Sequence, residues 1–400
     1  MKKIFKLYHR ARLSYTDTLK KELRAVLSDK AVLGVFISTG FIVMVLYAYI
    51  YSKEVVREIP VAVVDEDNSA MSRQYIQMLD ATEQVQVVPG FYSIPQAEDA
   101  FFKRDVKGVL YIPDSFSEDV RKGRQADVAV HADASYMLYY RQVLTAVNFV
   151  NGYFNAGIDI KKLMASGYTE EQARVINTPV TYSVVTLYNP ASGYGTYIIP
   201  MVTALVVQVV LLMAIGILGG SRRESSQHHF LFPRALKRGG TIPILFGKAS
   251  VYAILYFLLL ILQLGLVFTF FVIPVRAGLG DLFLFMLPYF LSVVFLGIFL
   301  TGLFRYREDA IMALIFTTLP MLMLSGLSYP VEGFSPFFQK LSWIFPSTWG
   351  MKGFVKLTQM GVPLQDVAVE WKALWWQALI YFILASMVLK GLVRSTWRKG

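Results

Sequence analysis

Residues 221–248 read "SRRESSQHHFLFPRALKRGGTIPILFGK" and carry six Lys/Arg, the adjacent His228 and His229, and a Gly247-Lys248 pair. The runs that flank this segment, Tyr194 to Leu218 and Ala249 to Pro274, contain no Asp, Glu, Lys or Arg. A helix rises 1.5 Å per residue, so each run is long enough for the ~30 Å hydrocarbon core of a bilayer. A basic loop between two such runs reads as a turn at one membrane face joining two transmembrane helices. Working outward, Ala31 to Tyr51, Leu282 to Phe304, Ala310 to Ser328 and Trp371 to Leu389 supply four more windows of the same kind. A composition 55% hydrophobic and 14% aromatic agrees, since it lies outside ordinary soluble usage.

The first window starts at residue 31, and no A-x-A cleavage pattern follows it in "YAYIYSKEVV". It is also about twice as long as the apolar core of a signal peptide, so it is expected to remain as an anchor. The chain has no cysteine, which excludes disulfides and thiolate metal sites.

The net charge of +11 is unevenly placed. Residues 1–30 hold nine Lys/Arg, 219–248 six, 304–309 two and the tail from Lys390 four, whereas 275–281 and 329–370 hold four together. These basic segments alternate across six spans, so the positive-inside rule places both termini in the cytoplasm. The basic charge then faces anionic lipid or a cytoplasmic partner, and no nucleic acid is needed. In "SYTDTLKKELRAVLSDK", Tyr15, Leu19, Leu23, Val26 and Leu27 share one helical face away from Lys20, Lys21 and Arg24, as in an interfacial helix leading into the first span.

Between Ser52 and Pro190 hydropathy collapses, with thirteen basic against eighteen acidic residues. "IPVAVVD", "VQVV", "VKGVLYIP" and "ADVAVHA" read as strands. They alternate with helices capped at Asn68 or Ser69, opened by Pro95, and spelled by "DSFSEDVRKG". Such alternation predicts a small α/β sheet domain. A long helix follows, with Tyr136, Tyr140, Val143, Leu144, Val147, Val150 and Phe154 on one face, and then an extended return through "TPVTYSVVTLYNP".

Enzyme chemistry finds no support. A phosphate-binding loop needs a glycine where Ile242 stands and a hydroxyl where Ala249 stands. His228 and His229 point to different sides of any helix, and no acidic cluster joins them, so no metal site is read there. The sequence holds no nucleophile elbow. As delimited, the spans contain one charged residue, Lys372 at the mouth of the last, and polar residues such as Gln208, Gln263 and Gln377. A buried charge costs about 2.5 to 3.5 kcal/mol even on the lenient scale, and ion-coupled carriers retain such charges where coupling happens. Energy for uphill transport would therefore come from another chain.

The whole chain resembles the permease subunits of type-2 ABC exporters, in the branch with a large extracytoplasmic domain between spans one and two. Arg223-Glu224, Pro233 and Gly247-Lys248 match the family's pattern for the loop between spans two and three, with Ser225-Ser226 where Gly-Thr is usual. "LSGLSYPVEGFSPFFQKLSWIFPSTWGMKGF" matches the stretch after span five through Ser325-Gly326, Tyr329-Pro330, Pro336 and Phe345-Pro346, and "VTLYNP" precedes span two. The resemblance implies a mostly α-helical polytopic membrane protein with six transmembrane helices, an inserted extracytoplasmic α/β domain and an N-terminal interfacial helix. The expected organisation is cytoplasmic 1–30, span one at 31–51, outer domain at 52–193, and spans two to six within 194–389. A coupling loop at 219–248, an outer re-entrant segment at 329–360 and a cytoplasmic tail at 390–400 complete it.

By the same resemblance, a coupling helix from about Arg222 to Leu231 seats on separate ATPase subunits that hold the ATP and Mg, with Arg222, Arg223, Glu224, His228, His229, Phe230 and Pro233 as its contacts. This chain needs no cofactor. Tyr329, Pro330, Pro336, Phe345 and Pro346 would shape an outer gate. Gln208, Gln263, Pro288 and Pro320 would supply polar groups or kinks along the pathway. Partners are the ATPases, a second permease (identical or paralogous), the lipid bilayer and a periplasmic adaptor protein. A hydrophobic or amphipathic substrate follows from the apolar spans. Two rival readings are a membrane-anchored receptor or structural protein with an outer binding domain, and an ion-coupled secondary carrier.

Overall fold

The computed structural model describes residues 2–397 except 182, 225–239 and 305. Two compact units divide the chain: residues 1–54 with 186–400, and residues 55–185. The helical unit opens with α1, Lys2–Ser28, which ends where Asp29 turns its carboxylate onto the amides of Ala31 and Val32 (2.9 and 3.2 Å) and caps the next helix. That helix, α2 (Lys30–Ile50), is apolar and contains a π-turn at Ser38–Ile42.

Residues 55–185 form a four-stranded sheet flanked by helices. Strand β1 (Ile59–Asp65) leads to α3 (Ala70–Asp80), β2 (Val85–Val88), α4 (Ile94–Phe102), β3 (Gly108–Ile112), α5 (Phe116–Arg121), β4 (Ala129–Ala132), α6 (Met137–Ala165) and α7 (Glu170–Asn177). The order is β2-β1-β3-β4, with β1 parallel to β2 and β3, and β4 antiparallel to β3. Ser69 and Ser72 make a reciprocal capping box that starts α3. Ile59, Val61 and Val63 pack in one cluster with Tyr75, Leu79 and α6, while Ala62 and Val64 pack in another with Ala97 and Ala100. Burial on both faces explains why β1 reads as a continuous apolar run. On α6, Val143, Val147, Val150 and Phe154 face inward as their spacing requires, but Tyr136 is 57% exposed and Tyr140 38%, because α6 starts at Met137 and its first turn clears the sheet.

The helical unit continues with α8 (Tyr194–Glu224), α9 (Thr241–Phe268, ending in a π-turn from Gln263), α10 (Leu279–Leu300) and α11 (Arg307–Leu324). Two short helices, α12 (Pro336–Ser342) and α13 (Pro346–Val355), precede α14 (Ala368–Trp397). Among the described residues, five helices are long and apolar enough to cross a bilayer: α2, α8, α9, α10 and a stretch Leu364–Gly391 that includes most of α14. The remaining expected span, the fifth in chain order, corresponds to α11. Its first turn is Arg307, Glu308 and Asp309, so its apolar part rises only about 22 Å.

Two helix boundaries move relative to the expectation, with consequences for the site. Helix α8 runs six residues past Leu218, so Arg222, Arg223 and Glu224 are its last turn and not the start of a separate rod. Helix α9 begins at Thr241, so Gly247 and Lys248 lie two turns inside it. Arg222 and Lys248 are therefore charges within long apolar helices, which the residue-by-residue delimitation of the spans had excluded.

Candidate functional site

The site forms where α1 lies against the first two turns of α9. Gly247 makes this approach possible: a Cβ there would stand 3.0 Å from the Tyr15 carbonyl oxygen and 3.0 Å from Thr18 Cβ. Beside it the Tyr15 hydroxyl donates to Ser250 Oγ at 2.9 Å. The face that α1 buries is Ser14, Thr18, Glu22 and Val26, one residue per turn. This corrects the expected apolar face in part, since Val26 is buried but Leu27 is 52% exposed. Packing rather than lipid decides it: the small hydroxyl residues let α1 approach α9 closely, and the one carboxylate on that face finds partners.

Those partners come from both legs of the basic loop. Arg222, at the end of α8, grips the Glu22 carboxylate with both terminal nitrogens, at 2.8 and 3.2 Å. Lys248 Nζ, from α9, stands 3.3 Å from Glu22 Oε2, and the Tyr252 hydroxyl donates to Oε1 at 2.8 Å. The Glu22 side chain is 1% exposed and those of Arg222 and Lys248 12% each. Burial alone would raise the Glu22 pKa, but the charges of Arg222 and Lys248 and the hydrogen bonds from Arg222 and Tyr252 outweigh it and hold the carboxyl at about 2. A bidentate arginine supplemented by a second cation and a hydroxyl is the geometry that makes a buried ion pair tolerable.

Arg223 points to another neighbour. Its guanidinium donates to the carbonyls of Thr301 (3.1 Å), Gly302 (2.9 Å) and Phe304, in the turn that follows α10. Gly220 leaves room for that turn: a Cβ there would meet the Tyr306 carbonyl at 2.6 Å and Arg307 Cα at 2.7 Å. Arg307 in turn pairs with Asp29 at 3.0 Å and donates to Ser221 Oγ at 3.2 Å. One end of α8 is thus tied to α1, α9, α10 and the start of α2. Arg222 and Arg223, expected as outward contacts, are turned into the protein, and of the three only Glu224 is exposed. His228, His229, Phe230 and Pro233 lie outside the described residues.

The polar residues expected along a pathway separate into two places. Gln208 is fully buried; its Oε1 accepts from the Ser347 amide at 2.9 Å, and its amide nitrogen is 3.3 Å from Met321 Sδ. It therefore caps the N-terminus of α13 and touches α11. Helix α13 is mostly buried, and Gly350 and Gly353 lie against the rings of Tyr289 and Phe285 on α10 with no room for a Cβ. Gln263 starts the π-turn of α9 and donates to the carbonyl of Gly40 in the π-turn of α2. Pro288 and Pro320 sit within continuous helices α10 and α11.

The remaining expected residues shape the segment before α13. Tyr329 is 57% exposed and stacks on Phe334 over Gly333. Pro330 precedes a 3-10 turn at Val331–Gly333, and Pro336 opens α12. Phe345 caps α13, and buried Pro346 is its first residue. Sequence reasoning missed Glu22, Lys248 in its pairing role, Tyr252, Thr301 and Asp29. The available signal was Glu22, one turn from each of Thr18 and Val26, on a helix rich in Lys and Arg whose other carboxylate is Asp17.

The chain matches the family model described as ABC-2 family transporter protein over residues 30–387. It is 21% identical over 359 residues to the probable multidrug ABC transporter permease YbhR of Escherichia coli strain K12, covering 89% of this chain and 92% of that protein. It is 22% identical over 347 residues to the inner membrane transport permease YhhJ of the same organism, covering 85% and 86%.

Proposed function

Because the chain belongs to the ABC-2 transporter family, we propose that it is the membrane-spanning permease subunit of an ATP-driven exporter. In this reading two permeases, identical or paralogous, form the pathway, and separate ATPase subunits bind ATP and Mg and supply the energy. Helix α11 is the fifth of six spans, both termini are cytoplasmic, and residues 55–185 stand on the opposite face, where capture of substrate, docking of an adaptor protein or shielding of the exit are the tasks that fit. The substrate class is hydrophobic or amphipathic, in keeping with the apolar spans and with a relative described as a multidrug permease.

One observation carries the reading: Arg222 before the loop and Lys248 after it hold the same buried carboxylate of α1. A loop with flexible legs would absorb a push from an ATPase. Here its legs are cross-linked by charge, and Arg223 extends the link to α10. Displacement of residues 225–239 would then move α1, α8, α9 and the end of α10 as one body, which is what rigid-body transmission requires.

The test is co-purification with candidate ATPases followed by hydrolysis assays in nanodiscs. Wild-type permease should change the hydrolysis rate of its ATPase, and a Glu22→Gln permease should still bind the ATPase while losing most of that change. A permease that never retains an ATPase, or one that pumps without nucleotide, refutes the proposal.

A further inference from the structure

Strand β4 continues a pattern that starts before its pairing does. From Gln125 to Ala132 burial alternates residue by residue: Ala126, Val128, Val130 and Ala132 pack inward, while Gln125, Asp127, Ala129 and His131 are exposed. Gln125 donates to Asp127 Oδ1 at 3.1 Å, as side chains two apart on one face of an extended chain can. Only Ala129–Ala132 pair with β3, because β3 ends at Ile112 and Pro113 turns the chain towards α5. Among the described residues, 125–128 make no backbone hydrogen bond. This overhang borders a cavity of about 550 Å³ whose lining includes apolar Phe116, Val120, Phe154 and Ile158, with Asn151 and Asn155 of α6.

The same compact unit ends in a second bare stretch. Residues 183–187, Ser-Val-Val-Thr-Leu, run without turn or bend, and among the described residues 183–186 make no backbone hydrogen bond. Val184, Val185 and Leu187 are each at least 65% exposed. Its β-branched residues suit a strand, and Thr178 to Pro190 carries no charge. An exposed apolar strand with a bare backbone is an edge that proteins normally pair or cover.

We propose that two copies of this chain exchange these strands. Residues 183–187 of one copy lie in the cavity of the second, paired with 125–128, and the second copy does the same in return. Each chain carries one unfilled groove and one uncovered strand, so a two-fold arrangement satisfies all four at once. A partner of unrelated sequence would fill the groove and leave residues 183–187 bare. Strand addition supplies backbone hydrogen bonds, the asparagine amides can donate and accept further ones, and alternation turns one set of side chains towards the apolar lining. The inference rests on the reading that two identical permeases assemble.

The chain has no cysteine, so engineered cysteines report alone. Two differently tagged full-length chains are co-expressed, one with Asp127→Cys and the other in turn with Ser183→Cys, Val184→Cys or Val185→Cys. They are oxidised mildly in native membranes and run on non-reducing gels. A disulfide needs Cα atoms within about 7 Å, so exchange should give mixed-tag dimers with the parity of a strand: strong at 184 and weak at 183 and 185, or the reverse. Asn155→Trp, which fills the cavity from an exposed position and alters no charge, should abolish them. With both cysteines in one chain and none in the other, no internal disulfide should form. An internal disulfide, equal cross-linking at all three positions, no cross-link, or a cross-link that survives Asn155→Trp overturns the proposal. Native mass spectra of the same samples separate the two readings. A dimer without the disulfide overturns strand exchange alone, and a monomer overturns it together with the identical pair.

Discussion

Replacing Glu22 by glutamine removes one charge from the centre of the helical unit while keeping the side chain's size. In the folded protein the Glu22 carboxyl lies at about 2 against an ordinary 4.5, a gap worth about 3 kcal/mol at neutral pH. Removing one partner from a buried pair costs about 3–5 kcal/mol by mutational precedent, so two independent routes agree. Because the folded-state pKa is the lower one, this stability is fully present above about pH 5 and is lost as pH falls through 4.5 towards 2. Glu22→Gln should therefore melt about 5–10 °C below wild type at pH 7. The difference should shrink as the pH is lowered below 4.5, where wild type progressively loses the same charge. Differential scanning fluorimetry in detergent across pH reads both effects. A variant melting within about 1 °C of wild type at pH 7, or a difference that widens on acidification, would refute the assignment of Glu22 as the counter-ion shared by Arg222 and Lys248.

Gly247→Val should push α1 off α9 and cost about 1–3 kcal/mol, visible as a lower melting temperature together with faster protease cleavage of residues 1–28. Gln208→Leu leaves the Ser347 amide buried without its acceptor and should cost about 1–3 kcal/mol; the same variant should raise leakage of substrate in proteoliposomes, because α13 loses its tether to α8. Arg222→Met and the double variant Arg234→Ala with Arg238→Ala should separate two kinds of basic residue. The first should lower the melting temperature, whereas the second should leave it unchanged and weaken retention of the proposed ATPase partner on a column by about tenfold or more.

Much of the fold is legible because its signals are local. The strand at Ile59–Asp65, the serine cap at Ser69 and the proline opening α4 each follow from a few adjacent residues, and long uncharged runs announce apolar helices without reference to partners. The expected fifth span is harder because Arg307, Glu308 and Asp309 belong to its helix: local hydropathy cannot distinguish a charged first turn from a loop. The site is the least legible part. Glu22 is 200 residues from Arg222 and 226 from Lys248, so no spacing rule joins them. Amphipathic periodicity finds part of the face there, since Leu19, Leu23 and Val26 pack against the core, but it passes over Ser14, Thr18 and Glu22, which α1 also buries.

The inward turn of Arg222 and Arg223 changes what the Arg-Glu and Gly-Lys landmarks of the loop mean. Read as surface chemistry, they are docking contacts flanking a phosphate-loop imitation. In the fold, Gly247 is the gap that admits α1, Lys248 and Arg222 are the clamps on its carboxylate, and Arg223 is the cap on α10. Each requirement is sterically or electrostatically strict: a side chain at Gly247 meets backbone, and a neutral residue at Glu22 strands two cations. Contacts with a partner face no such limit, because the partner surface can change with them.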